Sequence, residues 1–172
     1  MNHGLRTIAA LAGGAMCLAA AALAQDGSGR ELATQVDVTI QPDGAGGYRF
    51  VHAGEFAQSN GDLDFSQGRA RGRVMRIEFV IAEDSVAGAT FKPVGDDAFW
   101  IVEKALAGPG GEPTGPYFGP TFPQTITHPG GKRLIVIDKN DDGKLYRYML
   151  RFDLNGKLIC DDPDMGNGGP GH

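Results

Sequence analysis

Cysteine, tryptophan and basic charge are all scarce in this chain. Its 172 residues include two cysteines and one tryptophan, and 16 lysines and arginines stand against 21 aspartates and glutamates. Two cysteines are too few for a disulfide-stapled scaffold, and neither sits in a Cys/His spacing that makes a zinc site. The net charge of −5 argues against a nucleic-acid partner held by general electrostatics. Catalytic signatures are missing too. There is no Gly-x-Ser-x-Gly elbow, no His-Glu-x-x-His and no glycine-rich phosphate loop ahead of a helix. Past residue 24, no long stretch keeps a 3.6-residue apolar period, which removes helical bundles and coiled coils.

What the chain has in surplus is turn chemistry, with 27 glycines and 10 prolines. Length and composition fit one globular domain. Its first segment reads as an address. Arg6 is the one charged side chain before Asp26, residues 7–24 are uncharged and rich in Ala and Leu, and Ala22-Leu23-Ala24 precedes Gln25. A short basic start, an apolar middle and small residues at −3 and −1 describe a secretory signal peptide over residues 1–24. A membrane anchor is the competing reading, but the run is mostly Ala and Gly and no Lys/Arg cluster follows it. Lipid attachment at Cys17 lacks the preceding leucine that such processing prefers. The expectation is therefore a periplasmic or secreted protein with no membrane insertion after cleavage. Its parts are a flexible lead at 25–31, a folded body at 32–160 and a frayed acidic, glycine-rich tail at 161–172.

Within the body the apolar period is two. Val36, Val38 and Ile40 alternate with Gln35, Asp37 and Thr39, then Pro42–Gly47 supplies a turn and Tyr48–His52 a return strand. Asp62–Phe65 is a short alternating piece. Arg73–Ala82 is the strongest strand, with Met75, Ile77, Phe79 and Ile81 on one face. Arg69, Arg71 and Arg73 share the parity of that face, and three guanidinium groups cannot enter a core unpaired. Either pairing begins only near Arg73 or Gly72 marks a bulge. Ala89–Lys92 and Ala98–Glu103 are further strands. Residues 105–123 hold five prolines among five glycines and read as one long irregular loop, onto which Tyr117, Phe118 and Phe122 fold back. Arg133–Asp138, Lys144–Asp153 and, after Asn155-Gly156, Lys157–Cys160 form a meander. About seven to nine short strands predict an all-β fold, an immunoglobulin-like antiparallel β-sandwich.

Several residues invite a functional reading. Asp138, Asn140 and Asp142, followed by Gly143, match the first half of a calcium loop, but Met149 stands where a bidentate Glu belongs and the flanks alternate as strands. A polar hairpin turn is the plainer reading. Cys160, Met165 and His172, with His52 or His128, offer the ligand types of blue copper. Cupredoxins have the Cys, then a His, then a Met in close succession, and here Met165 comes before His172. Asp161 and Asp162 disfavour a thiolate at Cys160. His52 shares parity with Tyr48 and Phe50, His128 falls in a turn, and Trp100 among Phe99, Ile101 and Val102 reads as core. The arginines at 69–76 read as solvated groups paired with Asp62 or Asp64.

Neither catalytic nor cofactor-binding residues emerge. The function expected is a non-catalytic binding or accessory module whose partner is a protein or small ligand, met by the loop at 105–123 and the neighbouring strand ends. A calcium- or copper-binding protein is the alternative, and a small hydrolase with an unrecognised site the third reading.

Overall fold

The computed structural model describes residues 31–117 and 119–169. The expected signal peptide, most of the lead, Phe118 and the last three residues lie outside that range. The chain is mostly β. In order come β1 (Leu32–Pro42), β2 (Tyr48–Gly54), β3 (Leu63–Asp64), β4 (Met75–Ile81), β5 (Ala89–Phe91), a single helical turn α1 (Gly95–Ala98) and β6 (Phe99–Glu103). After these follow β7 (Gln124–Thr127), β8 (Arg133–Asp138), β9 (Leu145–Leu154), β10 (Lys157–Asp161) and β11 (Asp164–Gly166).

Two sheets form. The first has the order β2-β1-β4-β8-β7. The second centres on β9, with β10 and β11 along one edge, β3 beyond β11, and β5 and β6 along the other edge. Both are mixed, which corrects the all-antiparallel expectation: β1 runs parallel to β4, and β3 parallel to β11. Alternation along a strand reports which face is buried and carries nothing about a neighbour's direction. The β1–β2 hairpin forms as expected, with Pro42 opposite Tyr48. Its loop is fastened by the Asp43 carboxylate, which accepts the N–H groups of Ala45 and Gly47.

The inward rows of both sheets build one core. Val36, Val38, Ile40, Ile77 and Phe79 come from the first sheet, and Phe91, Phe99, Tyr148, Leu150 and Phe152 from the second. Rings meet from opposite sides: Phe50 stacks on Phe152 at 5.5 Å, and Phe79 lies 5.8 Å from Tyr148. At one margin the sheets are also stitched together, since Ala57 bridges to Gly54 at the end of β2 and to Leu63 in β3.

The arginine problem resolves by the first of its two routes. β4 starts at Met75, and residues 68–70 form a 3-10 turn ahead of it, so Arg69, Arg71 and Arg73 never enter the ladder. Arg69 pairs with Glu55 and lies over the Phe56 ring, not against Asp62 or Asp64. Three further expectations change. Residues 161–169 do not fray: Asp164–Gly166 is a strand and Met165 is fully buried. The expected meander is broken, because β8 pairs with β4 and β7 in the first sheet and only β9 pairs with β10. Trp100 is not in the core cluster; it faces outward beneath the Arg151 guanidinium, 3.7 Å from the ring centre.

Candidate functional site

The proline- and glycine-rich segment does fold back on the body. Phe122 is buried, and Tyr117 stands edge-on to both Phe122 and Tyr146 at 5.5 and 6.3 Å. Prolines at 113, 116, 120 and 123 keep the segment out of any ladder, so it crosses the end of the second sheet as an irregular strap. Between strap and sheet lies a cleft of about 240 Å³, lined by Phe99, Ile101, Tyr117, Phe122, Gln124 and Thr125 among others. Aromatic and aliphatic walls make its floor. Asp96, which accepts the Thr125 hydroxyl, sets a carboxylate at the margin, and the Gln124 amide stands beside it. The cleft can take an apolar group carrying an N–H donor, because its charged edge is an acceptor.

The turn after β8 is the second site, and it is unlike an ordinary surface turn. Asp138 and Asn140 are completely buried, and Asn140 has φ of 51°. The Asn140 amide donates to the carbonyls of Phe65 and Ala70 at 3.2 and 2.8 Å, while its oxygen accepts the Gly168 N–H. Asn140 thus bolts three segments together. Asp138 Oδ1 accepts the Asn140 N–H at 2.8 Å and the Asn167 amide at 3.1 Å. Asp142 accepts the hydroxyls of Thr121 and Tyr146 on one oxygen. Its other oxygen takes the Lys144 N–H and the Asn167 amide at 3.2 and 3.4 Å. Burial, with the neighbouring charges of Asp142 and Asp141, pushes the Asp138 carboxyl up to about 7. Asn167 was not singled out in the sequence, where it sits in a glycine-rich tail with no motif around it.

The remaining candidates are scattered. His52 is buried and holds Asp161 through Nε2 at 2.6 Å, an ion pair or hydrogen bond that ties β2 to β10 across the two sheets. Its Nδ1 has no partner, so no Ser or Cys completes a triad there. Asp161 also borders a shallow acidic depression with Asn60, Asp62, Arg147, Asp162 and Asp164. His128 is exposed in the β7–β8 turn, where its carbonyl accepts the Gly131 N–H. Cys160 is exposed on β10; burial of its thiol raises the pKa, Arg151 opposes that, and Glu112 and Asp162 add to it. Met165 is enclosed in β11 and His172 lies outside the described residues. Among the described residues, no group of three or more His, Cys, Asp or Glu side chains is placed to hold a metal ion.

Comparison of the chain with protein-family models gave no match, and neither did comparison with curated proteins.

Proposed function

We propose that this protein is an exported, non-catalytic binding module: an immunoglobulin-like β-sandwich whose ligand sits in the cleft between β6 and the proline-rich strap that ends at Pro123. The observation that carries the reading is that strap. A segment that could have been a free loop is pinned by Tyr117 and Phe122 and leaves between itself and β6 a concave space, half apolar and half polar, with one acidic corner. An aromatic wall beside polar groups that orient the guest suits a recognition site. The ligand class is a small molecule or peptide side chain with an apolar body and an amine or amide donor for Asp96. The sandwich reading is supported by the rings that reach from one sheet to the other, and its strand directions depart from the immunoglobulin pattern at the two parallel pairs.

The test is a fragment set of aromatic and aliphatic amines, followed through the backbone amide signals of the folded protein. Binding should move the signals of Ile101, Gln124 and Thr125. Thr125→Trp, which sets an indole across the mouth, should weaken it at least about tenfold, the loss of roughly 1.4 kcal/mol. Asp96→Asn should weaken amines selectively and spare neutral fragments. Shifts that fall elsewhere, or hits indifferent to both variants, sink the cleft. Export is tested separately by the mass of the chain recovered outside the inner membrane, which should begin at Gln25.

A further inference from the structure

Asp138 ends β8 inside the protein, and its two oxygens are served unequally. Oδ1 accepts the Asn140 N–H at 2.8 Å and the Asn167 amide at 3.1 Å, while Oδ2 is buried without a donor. Asn167 has the matching defect, because its nitrogen donates and its oxygen is buried with no donor. Both residues are enclosed, at 0% and 3% exposure. No cation offsets the carboxyl: Asp138 is in no ion pair among the described residues, and the charges that act on it, Asp142 and Asp141, are negative. The charged groups on the surrounding elements are turned to other tasks. On β4, where Met75 stands opposite, Arg76 pairs with Glu78. Ahead of β4, Arg69 pairs with Glu55, Arg71 is exposed and Arg73 donates to the Glu31 carbonyl. In the turn Lys139 is exposed and Lys144 reaches Glu103 at 2.7 Å. From the C-terminal side comes Asp164, which Lys104 and Arg147 hold.

One proton answers both defects. On Oδ2 it turns an acceptor without a donor into an O–H, and the Asn167 oxygen is the acceptor still open on the side chain already in contact. Leaving either oxygen buried and unserved is costly. Asp142 is not the place for that proton. One of its oxygens accepts the Thr121 and Tyr146 hydroxyls, and the other the Lys144 N–H and the Asn167 amide. Burial and the two negative neighbours act in the same direction, and push the Asp138 carboxyl up to about 7.

We propose that the folded protein carries Asp138 as a neutral acid whose O–H donates to Asn167 Oδ1, a proton latch between the β8–β9 turn and the C-terminal segment. The latch closes on a defined set of contacts. The Asn167 N–H donates to the Lys144 carbonyl at 2.9 Å, the Gly143 N–H to the Gly168 carbonyl at 3.0 Å, and the Gly168 N–H to the Asn140 side chain. Loss of the proton leaves two buried oxygens without a donor and a second negative charge beside Asp142, which loosens residues 167–168. Because the folded carboxyl binds its proton more tightly than the unfolded one, the stabilisation is full below the ordinary carboxylate value. It declines as pH climbs from there and is spent above about 7. The direction is opposite to that of the Asp164 contacts with Lys104 and Arg147, which need a charged carboxylate. The latch is separate from the cleft and stands whether or not the cleft binds anything.

The experiment follows the side-chain carboxyl carbon of Asp138 by NMR in the full chain, assigned through its own backbone so that no variant is required. That signal should titrate with a midpoint near 7, and the Asn167 carboxamide signals should move with the same midpoint. Between about pH 5 and pH 7, exchange of the Asn167 and Gly168 amides should gain up to about tenfold per unit beyond the common base-catalysed rise, then level off. Asp138→Asn, which sets a permanent N–H where the proton sits, should remove that gain and should melt above the unmodified protein at about pH 8. Histidines titrate near neutrality as well, but they are common to both proteins and cancel in the comparison. An Asp138 carboxyl signal already ionised at about pH 5 overturns the proposal. So does a titration near 7 that leaves the Asn167 carboxamide unmoved, which would put the proton elsewhere. An Asp138→Asn protein that melts below the unmodified one at about pH 8 overturns it too, because the native group is then the carboxylate.

Discussion

At the scale of single residues, Asn140 does more for this fold than its place in a polar turn implies. Its left-handed backbone, φ 51°, is one that Asn tolerates better than most residues, and its carboxamide meets both donor and acceptor demands at a point where three segments cross. Asn140→Asp keeps the size and removes the two N–H donors to Phe65 and Ala70. It also adds a buried charge beside Asp138. The expected cost is about 2–4 kcal/mol of stability, read from chemical denaturation, with the folded spectrum otherwise unchanged. A loss below about half a kcal/mol would show that the bolt is not structural. The sequence could not reveal this role, because the partners of the amide lie 75 and 70 residues upstream. Locally, Asp-x-Asn-x-Asp-Gly reads as a polar turn more readily than as a metal loop. Only the surroundings show that Asn140 is a bracket as well.

At the scale of elements, the long strands were legible, and of the short ones only β7 and β11 were not. β4 and β9 carry seven and ten residues of alternation, enough for period two to stand out, and their buried faces are those the pattern indicates. β11 is three residues with one apolar side chain. It has no period to read, and it exists because β9 and β3 offer it ladders on both sides. Charge holds it as well. Burial works to raise the Asp164 carboxyl, but Lys104 and Arg147 outweigh it and keep that group below the usual carboxylate range. A depressed folded pKa contributes stability above the ordinary carboxylate value, and that contribution is lost as pH falls through the folded one. Acidification should therefore loosen β11 before the body unfolds. Amide exchange at Met165 should accelerate, relative to Phe79 in β4, once the pH falls below the ordinary carboxylate range, and Lys104→Ala should move that acceleration to higher pH. Equal protection of both strands across the range would count against a separately held β11.

At the scale of the whole molecule, two aromatic clusters gather on β9. Phe50 and Phe91 both stack on Phe152, while Phe99 stacks on Tyr148, Phe79 lies tilted against it, and Phe122 meets Tyr146 edge-on. Three inward positions of β9, Tyr146, Tyr148 and Phe152, anchor these contacts, and Phe152 joins the two sheets through Phe50. Phe152→Ala should cost about 3–5 kcal/mol and lower the melting of both sheets together in one transition. Separate melting of the β2 hairpin would show that the sheets are less dependent on each other than the packing implies. The choice of rows for this core was visible in the sequence. Beyond the β1–β2 and β9–β10 hairpins, which strands stand beside which was not, because such pairing depends on chain crossings that alternation does not encode.

The parallel pairing of Leu63 and Asp64 with Met165 and Gly166 has a consequence in time. A segment that comes early in the chain waits for a neighbour that comes much later, and Asn140 waits likewise for Gly168. Hairpins can form first, but the second sheet cannot close until Met165 is in place. Long-range pairings of this kind slow folding, so the partly folded protein keeps an open edge until β11 docks.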